Sequence, residues 1–425
     1  MVGFSYKNGT LHADDVALPD IARQYGTPTY VYCASVIRKQ YEALTTALQK
    51  ALPADRQPLL CYACKSNSNI AVLALLRSLG SGLEIVSEGE LFRGLKAGFP
   101  PEKIITTSFG KTEDEIRAYL KAGIHQINIE ALAELENINR IAGEMGITAP
   151  VAFRLNPDIS GGGHHKISTG RKEDKFGMPV ERIMEAYALA GTMPHVKPLG
   201  LSIHIGSQVF TVEAFKPAFE KLASTVHELR KQGHTVARLD IGGGFPVIYK
   251  DESLLDLQAY ADWVRDIILP LDTEIQMEPG RYLVANSGIL LTRTAYVKKS
   301  HSREIMVLDA GMNDLIRPAM YDAYHGIIPV ENAERTPRTY DVAGPVCESG
   351  DTFAKAREIP EIQDGDLVAL ETAGAYGFSM ASNYNSRLLP AEILVDGSEV
   401  HEIRTRQTLD DLVKGETIPA SYRRR

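Results

Sequence analysis

Short apolar runs and helix-like segments alternate through the middle of the chain. Eight runs are rich in β-branched residues, as buried parallel strands are, and they cover residues 59–65, 82–87, 103–108, 126–130, 151–156, 199–207, 238–244 and 274–280. Segments with helical periodicity lie between them, at residues 70–79, 88–97, 112–122, 131–145, 180–190, 212–231 and 255–268. The sequence Thr-Glu-Asp-Glu at 112–115 has the pattern of a capping box. Eight strands that alternate with helices predict an α/β fold with a TIM-like (β/α)8 barrel, and an open sheet is the alternative that periodicity leaves undecided.

The pattern changes after Arg281. Short alternating runs separated by Gly, Pro, Asn and Asp predict an antiparallel β domain, and they cover residues 289–298, 305–309, 338–343, 367–372, 391–395 and 399–404. The first thirty residues also have strand and turn patterns, at 4–7 and 29–33, with a helix at 20–25. We therefore predict an N-terminal segment (1–34) that joins the β domain, a barrel (35–283), and a C-terminal β-sandwich or β-barrel domain (284–425).

Composition and charge narrow the functional class. The 425 residues include 46 Lys and Arg against 54 Asp and Glu, a net charge of −8. We find no extended basic stripe, so nucleic-acid binding is not expected. We find no apolar run near the about 18–20 residues that span a bilayer, and no signal peptide at the start. Four cysteines do not make a disulfide scaffold. The expected setting is the reducing cytoplasm, without a membrane partner.

Polar motifs occur at the ends of four predicted strands. They are Lys65, His204-Ile205-Gly206-Ser207, Gly242-Gly243-Gly244 and Glu278-Pro279-Gly280-Arg281. The carboxyl ends of barrel strands meet on one face, where the active sites of this architecture lie. We therefore expect these motifs to form one constellation.

Lys65 and the glycine triplet each allow two interpretations. A lysine among apolar neighbours loses solvation, which favours the neutral amine that forms a Schiff base; the alternative is a lysine that extends from a strand end to water. Three consecutive glycines let a phosphate approach the backbone, although a tight turn has the same pattern.

The remaining rim residues are also open to two interpretations. A carboxylate at Glu278 could pair with a protonated ring nitrogen, and Arg281 could clamp a carboxylate; alternatively the two form a structural ion pair. His204 could stack on a planar ring, or be a satisfied core histidine. We predict no metal site, because Cys61 and Cys64 lie within one strand and His164-His165 has no third ligand at a suitable spacing. The segment 160–176 is predicted to be a loop over the active face.

Taken together, the motifs resemble those of the pyridoxal-phosphate decarboxylases with an alanine-racemase-like fold (fold type III), and most closely those of the diaminopimelate decarboxylases. The resemblance extends from about residue 25 to 405. The matching stretches are Tyr62-Ala63-Cys64-Lys65-Ser66-Asn67, His164-x-Lys166-Ile167-x-Thr169-Gly170, Lys175-Phe176-Gly177, His204-Ile205-Gly206-Ser207-Gln208, Asp240-Ile241-Gly242-Gly243-Gly244, Glu278-Pro279-Gly280-Arg281, Leu315-Ile316-Arg317-Pro318-x-x-Tyr321, Gly344-Pro345-Val346-Cys347-Glu348-Ser349 and Gly374-Ala375-Tyr376.

The resemblance implies pyridoxal 5'-phosphate as cofactor and a carboxy-lyase that converts meso-2,6-diaminopimelate to L-lysine and CO2, the last step of bacterial-type lysine biosynthesis. It implies that Lys65 forms the Schiff base and that Glu278 keeps the pyridine nitrogen protonated, so that the ring stabilises the quinonoid carbanion. It places His204 on the ring. The other implied cofactor contacts are Ser207, Gly242, Gly243, Gly244, Gly280, Arg281 and Tyr376.

For the substrate, the resemblance implies that Cys347 is the proton donor and that Glu348 binds the distal ammonium group. Arg281, Arg317 and Tyr321 would bind the distal carboxylate, and Tyr376 is a further substrate contact. The family works as a homodimer in which Cys347 and Glu348 reach the barrel of the partner subunit.

Other activities remain as alternatives. The same chemistry could act on ornithine, lysine or a carboxylated polyamine, and the chain could be a non-catalytic homologue that binds pyridoxal phosphate. The presence of both Lys65 and Cys347 argues against the second. A racemase is disfavoured, because Cys347 and Glu348 stand where a tyrosine base would be needed.

Overall fold

The computed structural model describes residues 3–159, 175–300, 303–331 and 333–423. The chain forms two compact units, one made of Met1–Ser35 with Ser287–Arg425 and the other of Val36–Asn286. The motif that contains His164-His165, and most of the predicted loop at 160–176, lie outside the described residues.

The N-terminal segment begins with a small antiparallel sheet of three strands and continues into the larger sheet of its unit. Its elements are β1 (Phe4–Lys7), β2 (Thr10–Ala13), β3 (Val16–Ala17), α1 (Leu18–Tyr25) and β4 (Thr29–Cys33). All five residues of β4 are buried. The predicted strands at 4–7 and 29–33 are confirmed, and the predicted helix starts two residues earlier than expected because Pro19 suits a first helical turn.

The second unit contains a closed barrel of eight parallel strands, which confirms the predicted (β/α)8 fold. The strands are β5 (Leu59–Ala63), β6 (Gly82–Ile85), β7 (Ile104–Thr106), β8 (Gln126–Ile129), β9 (Ala149–Arg154), β10 (Val196–Ser202), β11 (Arg238–Asp240) and β12 (Glu274–Met277). The helices are α2 (Ala34–Ala51), α3 (Ile70–Ser78), α4 (Glu88–Lys96), α5 (Glu113–Ala122), α6 (Leu132–Met145), α7 (Val180–Ala190), α8 (Phe215–Lys231), α9 (Leu257–Trp263) and α10 (Arg281–Val284). Thr112 and Glu115 form the predicted capping box of α5.

The interior of the barrel is more polar than its strand sequences suggest. Five fully buried strand residues carry amide or carboxyl groups, and they are Glu84, Gln126, Asn128, Asp240 and Gln276. Buried polar groups require hydrogen-bond partners. Their arrangement therefore determines much of the chemistry described below.

The larger sheet of the other unit has nine strands among the described residues. Its C-terminal elements are β13 (Gly288–Ser300), β14 (Arg303–Leu308), α11 (Arg317–Tyr321), β15 (Ile327–Pro329), β16 (Pro337–Ala343), β17 (Thr352–Pro360), β18 (Leu367–Leu370), β19 (Ala391–Asp396), β20 (Glu399–Arg404) and α12 (Leu409–Leu412). The strand order is β17-β16-β14-β13-β4-β19-β20, and β18, which pairs with β15, also pairs with β13.

The sheet takes in β4 from the N-terminal segment and is mostly antiparallel, both as predicted, although two of its strand pairs are parallel. β4 runs parallel to β19, and β14 runs parallel to β16. The prediction was incomplete because residue alternation indicates which face of a strand is buried and carries no information about the direction of its neighbour.

Candidate active site

Lys65 lies in a 3-10 turn, Cys64–Ser66, directly after β5. Its Nζ donates hydrogen bonds to both carboxylate oxygens of Glu84, at 3.0 and 3.2 Å. Glu84 is fully buried on β6 and also accepts a hydrogen bond from the Thr107 hydroxyl. β5 ends at Ala63, so Lys65 lies beyond the strand rather than within it. The amine is held by a buried carboxylate rather than by apolar neighbours, which corrects that part of the sequence interpretation.

Glu278 and Asp240 form a buried pair of carboxyl groups after β12 and at the end of β11. Both are buried, and their side chains share a hydrogen bond. Burial raises the pKa of both groups, and the pKa of Glu278 is raised well above its usual range because Asp240 and Glu84 add negative charge nearby. Asp240 accepts hydrogen bonds from the Gly242 amide and from Asn128 Nδ2, each at 2.9 Å. Glu278 Oε1 is buried and has no hydrogen-bond partner.

His204 lies two residues after β10 and contacts the glycine triplet. Its Nδ1 accepts a hydrogen bond of 3.2 Å from the Gly243 amide. Burial, together with the positive charges of Arg154 and Lys65, places the pKa of His204 well below its ordinary value. The imidazole is therefore neutral, with Nδ1 as the acceptor and Nε2 carrying the proton.

The glycine triplet passes close to the backbone after β12. A Cβ on Gly243 would lie 2.2 Å from the carbonyl oxygen of Glu278, so any side chain there would displace one of the two chain segments. Phe245, which follows the triplet, packs its ring 4.9 Å from that of Tyr260. The triplet is thus held between a backbone contact and an aromatic contact. Gly242 and Gly244 complete the turn.

Arg281 is the first residue of α10 and is 6% exposed. Its Nε donates to Ser207 Oγ at 3.2 Å and its Nη1 donates to Tyr249 Oη at 2.7 Å. Gly280 lies just before it, and a Cβ there would lie 2.4 Å from Ser66 Oγ. The guanidinium group is therefore fixed in position by two hydroxyl groups of the barrel unit.

The remaining predicted residues lie in the unit made of Met1–Ser35 and Ser287–Arg425, which we call the β unit. Arg317 and Tyr321 are the first and last residues of α11, and Arg317 is 8% exposed. Cys347 is an exposed free thiol whose amide donates to Asn385 Oδ1 at 2.8 Å. Glu348 accepts a hydrogen bond from Tyr384 Oη at 3.3 Å, and Tyr376 has a positive φ of 56°.

Sequence reasoning missed several polar residues of the barrel interior, among them Gln126 and Gln276. Others are Glu84 beside Lys65, Asn128 beside Asp240, and Arg154, whose Nη1 forms a buried ion pair with Glu130. The available signal was one polar residue in an otherwise apolar strand, as in Gly82-Leu83-Glu84-Ile85. Within the described ranges, no helix could cross a bilayer, and no group of three or more His, Cys, Asp or Glu could hold a metal ion.

Comparison with known proteins adds to this geometry. Residues 35–285 match the model of the pyridoxal-dependent decarboxylase family, pyridoxal binding domain. The diaminopimelate decarboxylase of Pseudomonas aeruginosa is 44% identical over 98% of this chain and 99% of its own length. The enzyme of that name from Haemophilus influenzae is 43% identical over 96% of this chain and 98% of its own. The chain belongs to the diaminopimelate decarboxylase family.

Solved structures of the diaminopimelate decarboxylase family have the same fold. The enzyme from M. jannaschii has a TM-score of 0.93 at 35% identity and covers 99% of this chain and 98% of its own. The Helicobacter pylori enzyme, solved in complex with L-lysine, has a TM-score of 0.88 at 38% identity and covers 93% of this chain and 98% of its own.

As in its family, the cofactor of this protein is pyridoxal 5'-phosphate. The residues of the barrel fit the chemistry of this coenzyme. The coenzyme has an aldehyde, a basic ring nitrogen and a phosphate. Lys65 supplies an amine, Glu278 supplies a buried carboxyl oxygen without a partner, and the glycine triplet with Arg281 supplies backbone N–H groups and positive charge. A buried acid without a partner is costly unless a ligand atom meets it.

Proposed function

We propose that this chain decarboxylates meso-2,6-diaminopimelate to L-lysine and CO2. The observation that carries the proposal is the similarity to curated diaminopimelate decarboxylases at 40–44% identity over nearly the whole chain. When bound, pyridoxal phosphate withdraws electrons from the substrate Cα, so that the bond to the carboxyl group can break and CO2 can leave. The protein then has to bind the two reactants, orient that bond and return a proton to Cα.

In the barrel, we propose that Lys65 holds the coenzyme through its Nζ and that Glu84 positions this amine. Glu278 holds a proton at the ring nitrogen, and the raised pKa of its carboxyl group supports a role as the proton-bearing partner. His204 presents a neutral ring of fixed orientation to the pyridine face. Ser207, Gly242, Gly243, Gly244, Gly280 and Arg281 are the proposed contacts around the phosphate.

In the β unit, we propose that Cys347 donates the proton that replaces CO2 on Cα. Glu348 binds the distal ammonium group, and Arg317 and Tyr321 bind the distal carboxylate together with Arg281. Tyr376 contacts the cofactor and the substrate. The far end of diaminopimelate carries both signs of charge, and a site without arginine would leave a carboxylate desolvated and unpaired, a cost of several kcal/mol.

The proposal extends to assembly and location. We propose a homodimer in which Cys347 and Glu348 of one subunit act at the barrel of the other, and we propose that the two compact units are the two domains expected from the sequence. A cytoplasmic location is supported by the four cysteines, which are all free thiols.

The test is a CO2-release assay with the stereoisomers of diaminopimelate, L-ornithine and L-lysine as separate substrates. The expected result is release from the meso isomer, loss of at least about 100-fold in Cys347→Ala, and little change in Cys33→Ala, which removes a buried thiol in the same unit. Substantial release from ornithine or lysine without release from diaminopimelate would reject the proposed substrate. Equal activity in the two cysteine variants would reject the proton donor.

A further inference from the structure

A chain of side-chain amides crosses the interior of the barrel and ends on Asp240. Gln276 Nε2 donates to Gln126 Oε1 at 3.5 Å, and Gln126 Nε2 donates to Asn128 Oδ1 at 2.8 Å. Asn128 Nδ2 then donates to Asp240 Oδ2 at 2.9 Å. β8, which carries Gln126 and Asn128, is four strands from β12 in the barrel order, so the chain spans the full width of the barrel.

All bonds of this chain run in one direction. Gln126 and Asn128 each accept through the side-chain oxygen and donate through the nitrogen, whereas Gln276 only donates, because its Oε1 has no partner. Each bond polarises the next, and the last N–H group of the chain points at Asp240. In this orientation the Asn128 N–H group faces Asp240 Oδ2, the arrangement that suits an ionised carboxyl group; a turned Asn128 would need a proton on that oxygen. The Gly242 amide donates to the second oxygen of Asp240. Two N–H donors favour the ionised form of this carboxyl group.

Glu278 has the opposite environment. Its Oε1 has no partner, and the groups whose charges act on it are Asp240, Glu84 and Lys65. Lys65 and Glu84 form an ion pair, so their effects on Glu278 largely offset each other. Two buried carboxyl groups in contact cannot both be ionised at low cost. The charge is stabilised on Asp240, and the proton is therefore retained by Glu278.

We propose that Asn128, with Gln126 and Gln276 behind it, is a positioning residue that fixes Asp240 as the carboxylate and Glu278 as the acid of this pair. The inference rests on the proposed function only in assigning the ring nitrogen to Glu278. The amide chain thus keeps the proton of the pair on Glu278, which can offer it to that nitrogen. The ionised Asp240 adds a negative charge that would stabilise a protonated ring.

The experiment is infrared spectroscopy of the full-length, coenzyme-free protein with 13C-labelled glutamate or aspartate carboxyl groups. Burial raises the pKa of Glu90 and of Asp314 to about 7. Spectra are therefore recorded about two pH units higher, where both of these carboxyl groups are ionised and do not contribute a band of protonated acid. Subtracting the spectrum of Glu278→Gln isolates the pair. The expected difference band of the protonated carboxyl group moves with the glutamate label and not with the aspartate label.

Asn128→Ala removes one charge-assisted hydrogen bond from Asp240. We expect the ratio of glutamate-borne to aspartate-borne proton to fall about tenfold, and by less in Gln126→Leu, which leaves Asn128 in place. Ser202→Ala is the matched control, because Ser202 pairs in register with Asp240 and its buried hydroxyl makes no hydrogen bond. Its spectrum should match that of the wild type.

Two results would overturn the inference. One is a difference band carried by aspartate in the wild type, and the other is an unchanged glutamate band in both amide variants while circular dichroism shows native folds. Coenzyme and substrate are absent from the measurement. A failed decarboxylase assay would therefore reject the proposed function without changing the infrared result.

Discussion

Glu90 provides a test of how burial near the candidate site costs stability. It lies in the first turn of α4, accepts a hydrogen bond of 2.8 Å from the Val86 amide, and is mostly buried. Burial, with a contribution from the charge of Glu84, raises its pKa from 4.5 to about 7. A glutamine at this position keeps the acceptor for Val86 and carries no charge.

The sign of the effect follows from the proton count. Between pH 4.5 and about 7 the folded protein holds a proton that the unfolded chain has released, so stability falls as pH rises through this interval. Each tenfold change in a protonation equilibrium is worth about 1.4 kcal/mol, so the full cost above pH 7 is about 3 kcal/mol. Below pH 4.5 both states are protonated and the cost disappears.

The assay is urea unfolding of wild type and Glu90→Gln across this pH range. We expect equal free energies of unfolding at the acidic end and a variant more stable by about 3 kcal/mol above pH 7. Glu88→Gln is the control, since Glu88 is an exposed residue of the same helical turn and should change stability by less than about 0.5 kcal/mol. A Glu90→Gln difference that is independent of pH would refute the reasoning.

Three further predictions concern the barrel and the assembly. The buried Lys111 Nζ donates to Glu134 at 2.7 Å, so Lys111→Met should lower the free energy of unfolding by about 3–5 kcal/mol. Adding Glu134→Gln should restore part of this loss. A loss below about 1 kcal/mol in urea unfolding would contradict the prediction. Tyr249→Phe removes the hydroxyl group that accepts a hydrogen bond from Arg281 Nη1. It should weaken coenzyme binding about tenfold in a fluorescence titration, and an unchanged dissociation constant would exclude a role for this contact. The variants Lys65→Ala and Cys347→Ala should each be inactive alone. After they are unfolded and refolded together as a 1:1 mixture, we expect about 25% of wild-type activity, because half of the dimers would have one complete site. No recovery of activity would argue against a shared site.

The sequence predicted the barrel well because its strands are fully buried. Runs such as that of β5 are continuous and apolar, and the helices between them carry clear caps, as at Thr112. Four strands of the β unit were missed, β2 and β3 in the N-terminal segment and β15 and β17 after the barrel. β17 alternates irregularly and is largely exposed in its middle, and β15 has only three residues and ends in Pro329.

The candidate site was predicted as far as its residues are local. Lys65, the glycine triplet and Glu278 each follow a recognisable strand. Glu84 and Asn128 could not be assigned from the sequence, because their meaning comes from partners on other strands, Lys65 for the first and Asp240 for the second. A polar residue in an apolar strand indicates that a partner exists, and only the closed barrel shows which one it is.

The position of β4 has a consequence for synthesis on the ribosome. This strand is made within the first 33 residues, yet it pairs with β13 and with β19, which ends at Asp396. At usual rates of translation, β4 waits on the order of tens of seconds for its last neighbour. Throughout that time both of its edges are open to other chains, whereas the intervening barrel can close as soon as β12 has emerged. We therefore expect nascent chains to be most prone to aggregation, and most dependent on chaperones, before the final strands leave the exit tunnel.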